Sequence, residues 1–268
     1  MFARLFLALT EYGWFRRLAW KPIYQFLAKK FSFADWHFMN YGYAPLDGSN
    51  IMELKEEDEL NRFSIQLYHH LATQTEIAGK DVLEVGSGRG GGSSYIMRYL
   101  KPNSMTGMDL ASNAVNFSNN THKVEGLRYI TGNAESIPLP DNNFDVVVNV
   151  ESCHAYGSVP NFLKEVKRVL RPGGWFVCTD MRDKTRIDML EGQMKDSGMN
   201  LVRTINVSPN VVKAIELEEA IKVKRIDDKI PPKYRNMFKE FAGVKGSAIH
   251  TGVRDGNLVY KHFVMQKV

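Results

Sequence analysis

Short apolar stretches alternate with segments of helical spacing through the middle of the chain. Five stretches have the length and the β-branched content of buried strands: 81–85, 104–109, 127–131, 144–150 and 175–179. Helical patterns separate them, at a glycine-initiated segment that runs to about residue 100 and at 112–122 and 160–170. Strands that alternate with helices form βαβ units. The pattern therefore predicts an α/β fold with a doubly wound, mostly parallel sheet.

The last part of the chain has a different pattern. Residues 247–253 and 257–266 both alternate between apolar and polar positions, and Asp255-Gly256 lies between them. Asp-Gly between two such runs is typical of a tight turn that joins antiparallel strands. These two runs are predicted to form an antiparallel C-terminal hairpin.

No Gly/Ser- or Pro-rich linker divides the 268 residues, which favours one main domain. We predict a helical segment, 1–75, before the sheet and a sheet domain, 76–268, that contains an insertion at about 182–243. Ligands of open α/β sheets bind above the carboxyl ends of the strands. Both regions are placed to cover such a site as a helical lid.

The net charge of +5 is concentrated at the N-terminus, because residues 1–30 hold six basic residues against Glu11 alone. The rest of the chain is neutral, so no nucleic-acid surface is expected. Residues 1–30 are also rich in apolar and aromatic residues, but charges interrupt them too often for a membrane span. Two interpretations stay open: a helix pair that packs on the domain, or peripheral membrane contact through an interfacial helix.

Cys153 and Cys178 are the two cysteines of the chain. Two thiols do not make a disulfide framework, and no Cys/His cluster has zinc spacing, so no metal is expected. The composition favours a reducing compartment and thus a cytoplasmic protein.

The most informative stretch is 82–92, Val-Leu-Glu-Val-Gly-Ser-Gly-Arg-Gly-Gly-Gly. Its glycines let the backbone turn tightly and approach a ligand closely. The spacing alone fits a dinucleotide site equally well. Asp109 ends the second predicted strand, where a carboxylate can accept hydrogen bonds from ribose hydroxyls of either kind of cofactor.

Two later motifs distinguish these cofactors. Gly-Asn-Ala-Glu-Ser-Ile-Pro-Leu-Pro, 132–140, follows the third strand, and Val-Leu-Arg-Pro-Gly-Gly, 169–174, leads into the fifth. This order of motifs resembles the class I S-adenosylmethionine-dependent methyltransferases over about residues 80–180. The resemblance implies a Rossmann-like sheet of seven strands and S-adenosyl-L-methionine as the cofactor.

The resemblance also implies the cofactor contacts. Glu84 and Gly86 would face the methionine amino end, Asp109 would hold the ribose with Leu110 beside the adenine, and Asn133 and Ala134 would meet the adenine edge. The remaining predicted cofactor-binding residues are Ser87, Gly88, Gly90 and Glu135. The family usually has Asp at the position of Asn133, whose amide oxygen can still accept a hydrogen bond from the adenine amino group.

Methyl transfer to a hydroxyl requires a base beside the acceptor. Glu151 and His154 follow the fourth predicted strand, and Asp180 follows the fifth. Neighbouring strand ends can bring His154 and Asp180 into hydrogen-bond contact, which would orient the imidazole and raise its basicity. His154 is the predicted base, Asp180 its support and Glu151 a third catalytic candidate, with a contact to cofactor or backbone as its alternative role.

This local pattern is similar to O-methyltransferases of glycosylated natural products and mycobacterial lipids. The resemblance to the phthiotriol/phenolphthiotriol dimycocerosate methyltransferases extends beyond the cofactor motifs, through Asn61-Arg62, Leu67-Tyr68-His69 and 241–246. The resemblance implies an O-methyltransferase that acts on a hydroxyl of a hydrophobic or lipid-linked small molecule. Sterol C-methyltransferases have a comparable Glu…Cys-His stretch. C-methylation and a non-catalytic, membrane-associated cofactor-binding protein are therefore the alternatives.

For five further side chains the sequence leaves two interpretations open, one of which is a role in the site. Tyr41, Tyr43 and Tyr156 either line the acceptor pocket or serve packing alone. His69 and His70 lie on a predicted helix, where one faces the substrate or both belong to a polar surface.

Overall fold

The structure is a computed structural model that describes residues 36–268. The N-terminal segment 1–30, with its two interpretations, lies outside the described residues. Within the described part of the chain, no helix combines the length and the apolar character needed to cross a bilayer.

Among residues 36–268, seven strands form one sheet in the order β3-β2-β1-β4-β5-β7-β6. The strands are β1 (Asp81–Val85), β2 (Ser104–Asp109), β3 (Leu127–Thr131), β4 (Phe144–Val150), β5 (Leu170–Asp183), β6 (Asn200–Asn206) and β7 (Leu258–Gln266). Strands β1 to β5 pair in parallel, while β7 runs antiparallel between β5 and β6. The predicted fold class is confirmed.

Helices cover both faces of the sheet. They are α1 (Arg62–Ala72), α2 (Gly91–Tyr95), α3 (Ser112–Thr121), α4 (Val159–Val169), α5 (Lys184–Asp196), α6 (Ser208–Lys229), α7 (Pro232–Phe241) and α8 (Ala248–Arg254). Helix α2 continues as a π-helical turn, Ile96–Leu100. Helix α1 contributes Ile65, Leu67 and Leu71 to the core on one face, and α4 and α5 contribute Phe162 and Leu190 on the other.

Helix α4 illustrates how the local sequence sets an element. The Ser158 side chain accepts the Asn161 amide hydrogen at 3.3 Å and caps the helix start. A proline in the first turn has the backbone angle that a helix needs there. Phe162 and Val166 then lie on the buried side, four positions apart on one helical face. The helix predicted at 160–170 is present at Val159–Val169.

The residues predicted for the terminal hairpin are wrong in their first half. Residues 247–253 do not form a strand, because Ser247 accepts the His250 amide hydrogen and starts helix α8. Gly256, with a φ of 76°, follows the end of that helix instead of forming a two-residue strand turn. The antiparallel partners of β7 are β5 on one side and the edge strand β6 on the other. The antiparallel pair thus exists at the edge of the sheet, with a different first strand.

The predicted insertion at 182–243 is also smaller than expected. Strand β5 extends to Asp183, helix α5 packs on the core through Ile187 and Leu190, and β6 belongs to the sheet. Helix α6 also packs on the core through Val211 and Ile215, and only its later part forms a separate small cluster with α7, through Ile226 and Phe238. Helices α6 and α7 are therefore the remaining candidates for a lid. That they act as a lid stays a prediction.

Candidate functional site

A glycine-lined turn follows β1 and forms one wall of the site. Gly86, Gly88 and Gly90 have φ angles of 80°, 52° and 82°. A Cβ atom at Gly86 would lie 2.2 Å from Oγ of Ser152, so a larger side chain does not fit without displacement. The Gly86 amide donates to the Met108 carbonyl at 2.7 Å and ties the turn to β2. The turn therefore presents its main chain closely to a bound molecule.

The carboxylate of Asp109 lies against this turn at the end of β2. One oxygen accepts the Gly88 amide hydrogen and the other accepts that of Ala111, both at 2.8 Å. Burial raises the pKa of Asp109, and these backbone hydrogen bonds oppose the shift. Leu110 is 42% exposed and lies on the same wall. A fixed acceptor beside an exposed apolar side chain fits a ribose and its attached base.

The loop after β3 supplies another part of the wall through Asn133, Ala134 and Glu135. Oδ1 of Asn133 accepts the Glu135 amide hydrogen at 3.0 Å. The Glu135 carboxylate accepts the Gly157 amide hydrogen at 2.9 Å. The loop is thereby held to the segment that follows His154.

Two predicted cofactor residues, Glu84 and Gly90, do not line the cavity. They pack behind the glycine turn instead. Glu84 is fully buried, where it accepts the Tyr68 hydroxyl at 2.7 Å and the Ser93 hydroxyl. Burial raises its pKa to about 7, against the effect of these hydrogen bonds. A Cβ atom at Gly90 would meet the Tyr129 ring at 2.7 Å. Both residues shape the turn that Gly86 and its neighbours present.

A cavity of about 760 Å³ joins these walls to the carboxyl ends of β4 and β5. It is lined by eight of the ten predicted cofactor residues: Gly86, Ser87, Gly88, Asp109, Leu110, Asn133, Ala134 and Glu135. Glu151 and His154 line it as well. The volume is within the range of small-molecule sites. One cavity thus brings the predicted cofactor wall and the predicted base together.

His154 and Asp180 form the hydrogen-bonded pair that strand topology predicts. Nδ1 of His154 lies 2.8 Å from Oδ1 of Asp180. The Asp180 side chain is fully buried, while the His154 side chain is 32% exposed. Burial lowers the pKa of His154, but the charge of Asp180 outweighs this effect and holds it above its ordinary value. The pair is arranged as a carboxylate that orients a basic imidazole.

Arg182 and Cys153 complete the surroundings of Asp180, and the sequence analysis did not identify either as a site residue. Nε of Arg182 donates to Oδ2 of Asp180 at 3.0 Å, and the Cys153 thiol donates to the same oxygen at 3.1 Å. Burial raises the pKa of Asp180, yet His154 and Arg182 overcome it and hold this pKa well below its usual range. Asp180 is thus ionised throughout the neutral range. Arg182 lies two positions after Asp180, on the same side of β5, which is the signal that could have found it.

Glu151 accepts hydrogen bonds from two distant parts of the chain. Its Oε1 accepts the Tyr41 amide hydrogen at 3.0 Å and the Tyr260 hydroxyl. Burial raises the pKa of Glu151 to about 7, and both hydrogen bonds oppose the shift. Of its predicted roles, the structure provides the contact with the backbone.

The remaining candidates divide between site and core. Tyr41 and Tyr156 line the cavity. Tyr43 instead stacks on His70 with ring centroids 4.3 Å apart, and His69 contacts the Tyr95 hydroxyl at 2.7 Å. Neither histidine lines the cavity, so the structure does not bring them to the substrate side.

The cavity wall also contains a polar atom that a ligand could satisfy. Oγ of Ser87 is buried and has no hydrogen-bond partner among residues 36–268. It lies between Gly86 and Gly88, where the resemblance places the methionine end of the cofactor. An amino acid moiety carries both donors and acceptors, so the residues present fit this group. In the described part of the chain, no three His, Cys, Asp or Glu side chains could hold a metal ion.

The fold and this cavity are those of a class I S-adenosylmethionine-dependent methyltransferase, and comparisons with known proteins agree. A family described as "Methyltransferase domain" matches residues 83–178. The fatty-acid O-methyltransferase of Mycolicibacterium smegmatis is 37% identical over 93% of this chain and 90% of its own length. The phthiotriol/phenolphthiotriol dimycocerosates methyltransferase of Mycobacterium leprae is 34% identical over 92% of each chain.

The chain belongs to the S-adenosylmethionine-dependent methyltransferases, in the family of these two relatives. It is therefore an enzyme that transfers a methyl group, with S-adenosyl-L-methionine as its cofactor. A solved structure of geranyl diphosphate C-methyltransferase from Streptomyces coelicolor has a TM-score of 0.65, over 91% of this chain and 98% of that one. It is 18% identical and shows the same fold.

Proposed function

We propose that the protein methylates an oxygen atom of a hydrophobic acceptor and that His154 is the base for a hydroxyl acceptor. The hydrogen-bonded pair of His154 and Asp180, on the wall of the cavity that the glycine turn also lines, is the observation that carries the proposal. The name of the Mycolicibacterium smegmatis relative supports an oxygen atom, and the names of both relatives support a lipid-like molecule. The apolar and aromatic content of residues 1–30 is consistent with such an acceptor.

S-adenosyl-L-methionine, when bound, supplies a methyl group on a sulfonium. An acceptor oxygen held in the cavity would take this methyl group, with an O–C bond formed as the S–C bond breaks and S-adenosylhomocysteine as the other product. The hydroxyl proton passes to Nε2 of His154, while Nδ1 faces Asp180. Asp180 stays ionised and stabilises the imidazolium that forms. The protein thus contributes orientation, exclusion of water and a proton acceptor.

The cofactor contacts are part of the same proposal. The turn Gly86–Ser87–Gly88 would bind the methionine end, with Gly90 and Glu84 shaping it from below. Asp109 would hold the ribose hydroxyls, Leu110 would pack on the adenine, and the loop Asn133–Ala134–Glu135 would contact the adenine edge. The support is that all but Glu84 and Gly90 line one cavity.

A comparison of alcohols with acids tests the base. A carboxylic acid is ionised at neutral pH and needs no base, whereas an alcohol must lose its proton. His154→Ala should therefore lower turnover of hexadecanol by about 10²- to 10⁴-fold and that of palmitic acid far less. Product mass spectrometry with methyl-labelled cofactor gives both rates. Equal losses for the two acceptors, or parallel losses in S-adenosylhomocysteine affinity, would refute the role of His154.

The same products discriminate between O- and C-methylation. Ether or ester cleavage removes a methyl group from oxygen and leaves one on carbon. Label that survives cleavage would favour a C-methyltransferase, in which cavity carboxylates such as Glu151 stabilise a cation. Complete loss of the label is the result we expect.

We also propose that residues 1–30 contact an anionic membrane surface. The support is their concentration of positive charge and of apolar side chains. Full-length protein should float with phosphatidylglycerol vesicles, less so with phosphatidylcholine, and less at high salt. A chain that lacks residues 1–30 should not float with the vesicles. Equal flotation of the shortened chain would disprove the contact and favour packing on the domain.

A further inference from the structure

A short segment before α1, residues 36–41, lines the site; we call it the strap. Five of its residues line both the large cavity and a second cavity of about 120 Å³: Trp36, Phe38, Met39, Asn40 and Tyr41. The second cavity lies against helices α6 and α7. The strap is therefore the wall between the two spaces, and its position determines the shape of the larger one.

The first half of the strap lies on the glycine turn. The Gly91 amide donates to the His37 carbonyl at 3.3 Å. A Cβ atom at Gly91 would meet the Phe38 ring at 2.9 Å, and one at Gly88 would meet the Met39 methyl group at 2.9 Å. These contacts hold the strap on the cofactor side without any part of Glu151.

The second half of the strap is held in place by contacts of Tyr41. Its amide donates to the Glu151 carboxylate at 3.0 Å, and its hydroxyl donates to the Phe241 carbonyl at 3.4 Å. The ring packs so closely on Gly243 that a Cβ atom there would lie 2.8 Å away. Tyr41 thus links the end of β4 to the end of α7.

Glu151 is held in this position at a conformational cost. Its φ of 45° lies in the left-handed region, which disfavours any residue that has a Cβ atom. The Tyr260 hydroxyl from β7 donates to the oxygen that also accepts from Tyr41. Strained backbone of this kind persists where the surroundings fix it and is concentrated at functional sites. Three separate chain segments meet at this one carboxylate oxygen.

We propose that Glu151 is a positioning residue: through the Tyr41 amide it fixes the strap as the wall of the acceptor space, and so sets acceptor affinity. The inference rests on the proposed function only in assigning the acceptor to the large cavity. It differs from the catalytic role predicted for Glu151, because the carboxylate here acts on the strap and not on the reacting atoms.

Hydrogen exchange at the Tyr41 amide measures this contact without an acceptor. In the full-length protein, Glu151→Ala should speed that exchange about tenfold, the upper part of the usual effect of losing a hydrogen bond. Glu151→Gln retains an oxygen acceptor and should keep the amide protected. Because alanine and glutamine both carry a Cβ atom, the backbone strain is the same in both variants.

Kinetics with palmitic acid should distinguish the alanine variant from the glutamine variant in the same way. Glu151→Ala should raise KM about tenfold, with kcat and S-adenosylhomocysteine affinity nearly unchanged, and Glu151→Gln should restore KM. Tyr260→Phe is the matched control, since it removes the other donor to Glu151 and leaves the Tyr41 contact in place.

Two results would overturn the inference. One is unchanged Tyr41 exchange in Glu151→Ala. The other is a kcat loss in Glu151→Gln as large as in Glu151→Ala while Tyr41 stays protected, which would assign the carboxylate to the chemistry. If Glu151→Ala does not fold, the glutamine variant still decides through exchange and kcat. Failure of the His154 experiment alone would reject the base and leave the positioning role intact.

Discussion

Nδ1 of His154 contacts the Asp180 carboxylate at 2.8 Å, although 26 positions separate the two residues. The parallel pairing of Val150 with Thr179 brings the ends of β4 and β5 to one edge. A single 3₁₀ turn, Cys153–Ala155, then directs the imidazole back toward β5. The register of two strands thus creates the pair, and its protonation should control the rate with alcohols.

Turnover of an alcohol should rise with pH and then level off, because only neutral His154 can accept a proton. The midpoint should lie above 6.5, since Asp180 raises the pKa of His154 against the effect of burial. Asp180→Asn removes this charge and should move the midpoint down by about one unit or more. The plateau should fall about 10²-fold or more. Asp188→Asn, at a side chain that is 63% exposed, is the control; coincident pH profiles for the two variants would contradict the prediction.

Gly86→Ala should abolish cofactor binding, whereas Gly173→Ala should not. The two glycines have nearly equal φ angles, 80° and 78°, so both substitutions carry the left-handed strain of about 1 to 2 kcal/mol. A Cβ atom at Gly86 also collides with Ser152, while one at Gly173 meets nothing within 4 Å. Calorimetry with S-adenosylhomocysteine compares them. Equal affinities would show that the close approach at Gly86 is unimportant.

Ser87→Ala should weaken S-adenosylhomocysteine binding about tenfold with little change in unfolding free energy. The reason is that Oγ of Ser87 is buried without a partner among residues 36–268. Ser93→Ala should behave in the opposite way, because it removes a hydrogen bond to buried Glu84 and should cost about 1 to 3 kcal/mol of stability. Thermal unfolding and calorimetry on both variants test this. A Ser87 variant that loses stability and keeps affinity would be the contrary result.

The protein without cofactor should lose stability as pH rises from about 5 to 8. Glu84 has its pKa raised from 4.5 to about 7 by burial, so between these values the folded state binds more protons than the unfolded state. Stability therefore falls with pH across this interval. Glu84→Gln should remove about 3 kcal/mol of the decrease in unfolding free energy over this pH interval. Urea unfolding at several pH values measures it, and identical slopes for both proteins would be evidence against a protonated Glu84.

The central strands could be predicted because parallel strands are buried on both faces and appear as continuous apolar runs. Strand β6 could not, since most of its side chains at the sheet edge are exposed, as in Asn200, Arg203 and Thr204. The alternation of residues 247–253 before Asp255-Gly256 predicts a strand, but Ser247 caps helix α8 there instead. Local patterns decide such cases poorly where tertiary pairing supplies the answer.

The site residues also divide into those that the sequence predicts and those that it does not. His154, Asp180 and the glycine turn were identified because their motifs lie next to strand ends. The contacts of Glu84 with Tyr68, and of Glu151 with Tyr41 and Tyr260, join segments far apart in the chain. No spacing rule indicates which tyrosine meets which carboxylate. Arg182 is the exception: it could be predicted from the alternation of side chains along β5, because it lies two positions after Asp180.

Strand β7 pairs with β5 along its whole length and places Lys261 opposite Asp180. The strand that carries Asp180 therefore gains its second neighbour from β7, which is separated from it along the chain by α5, β6 and three further helices. During synthesis, a ribosome must release β7 before the sheet can close around Asp180. A nascent chain that stalls earlier would expose an unsatisfied sheet edge beside the pair with His154, so competence for methyl transfer arises only after β7 has been synthesised.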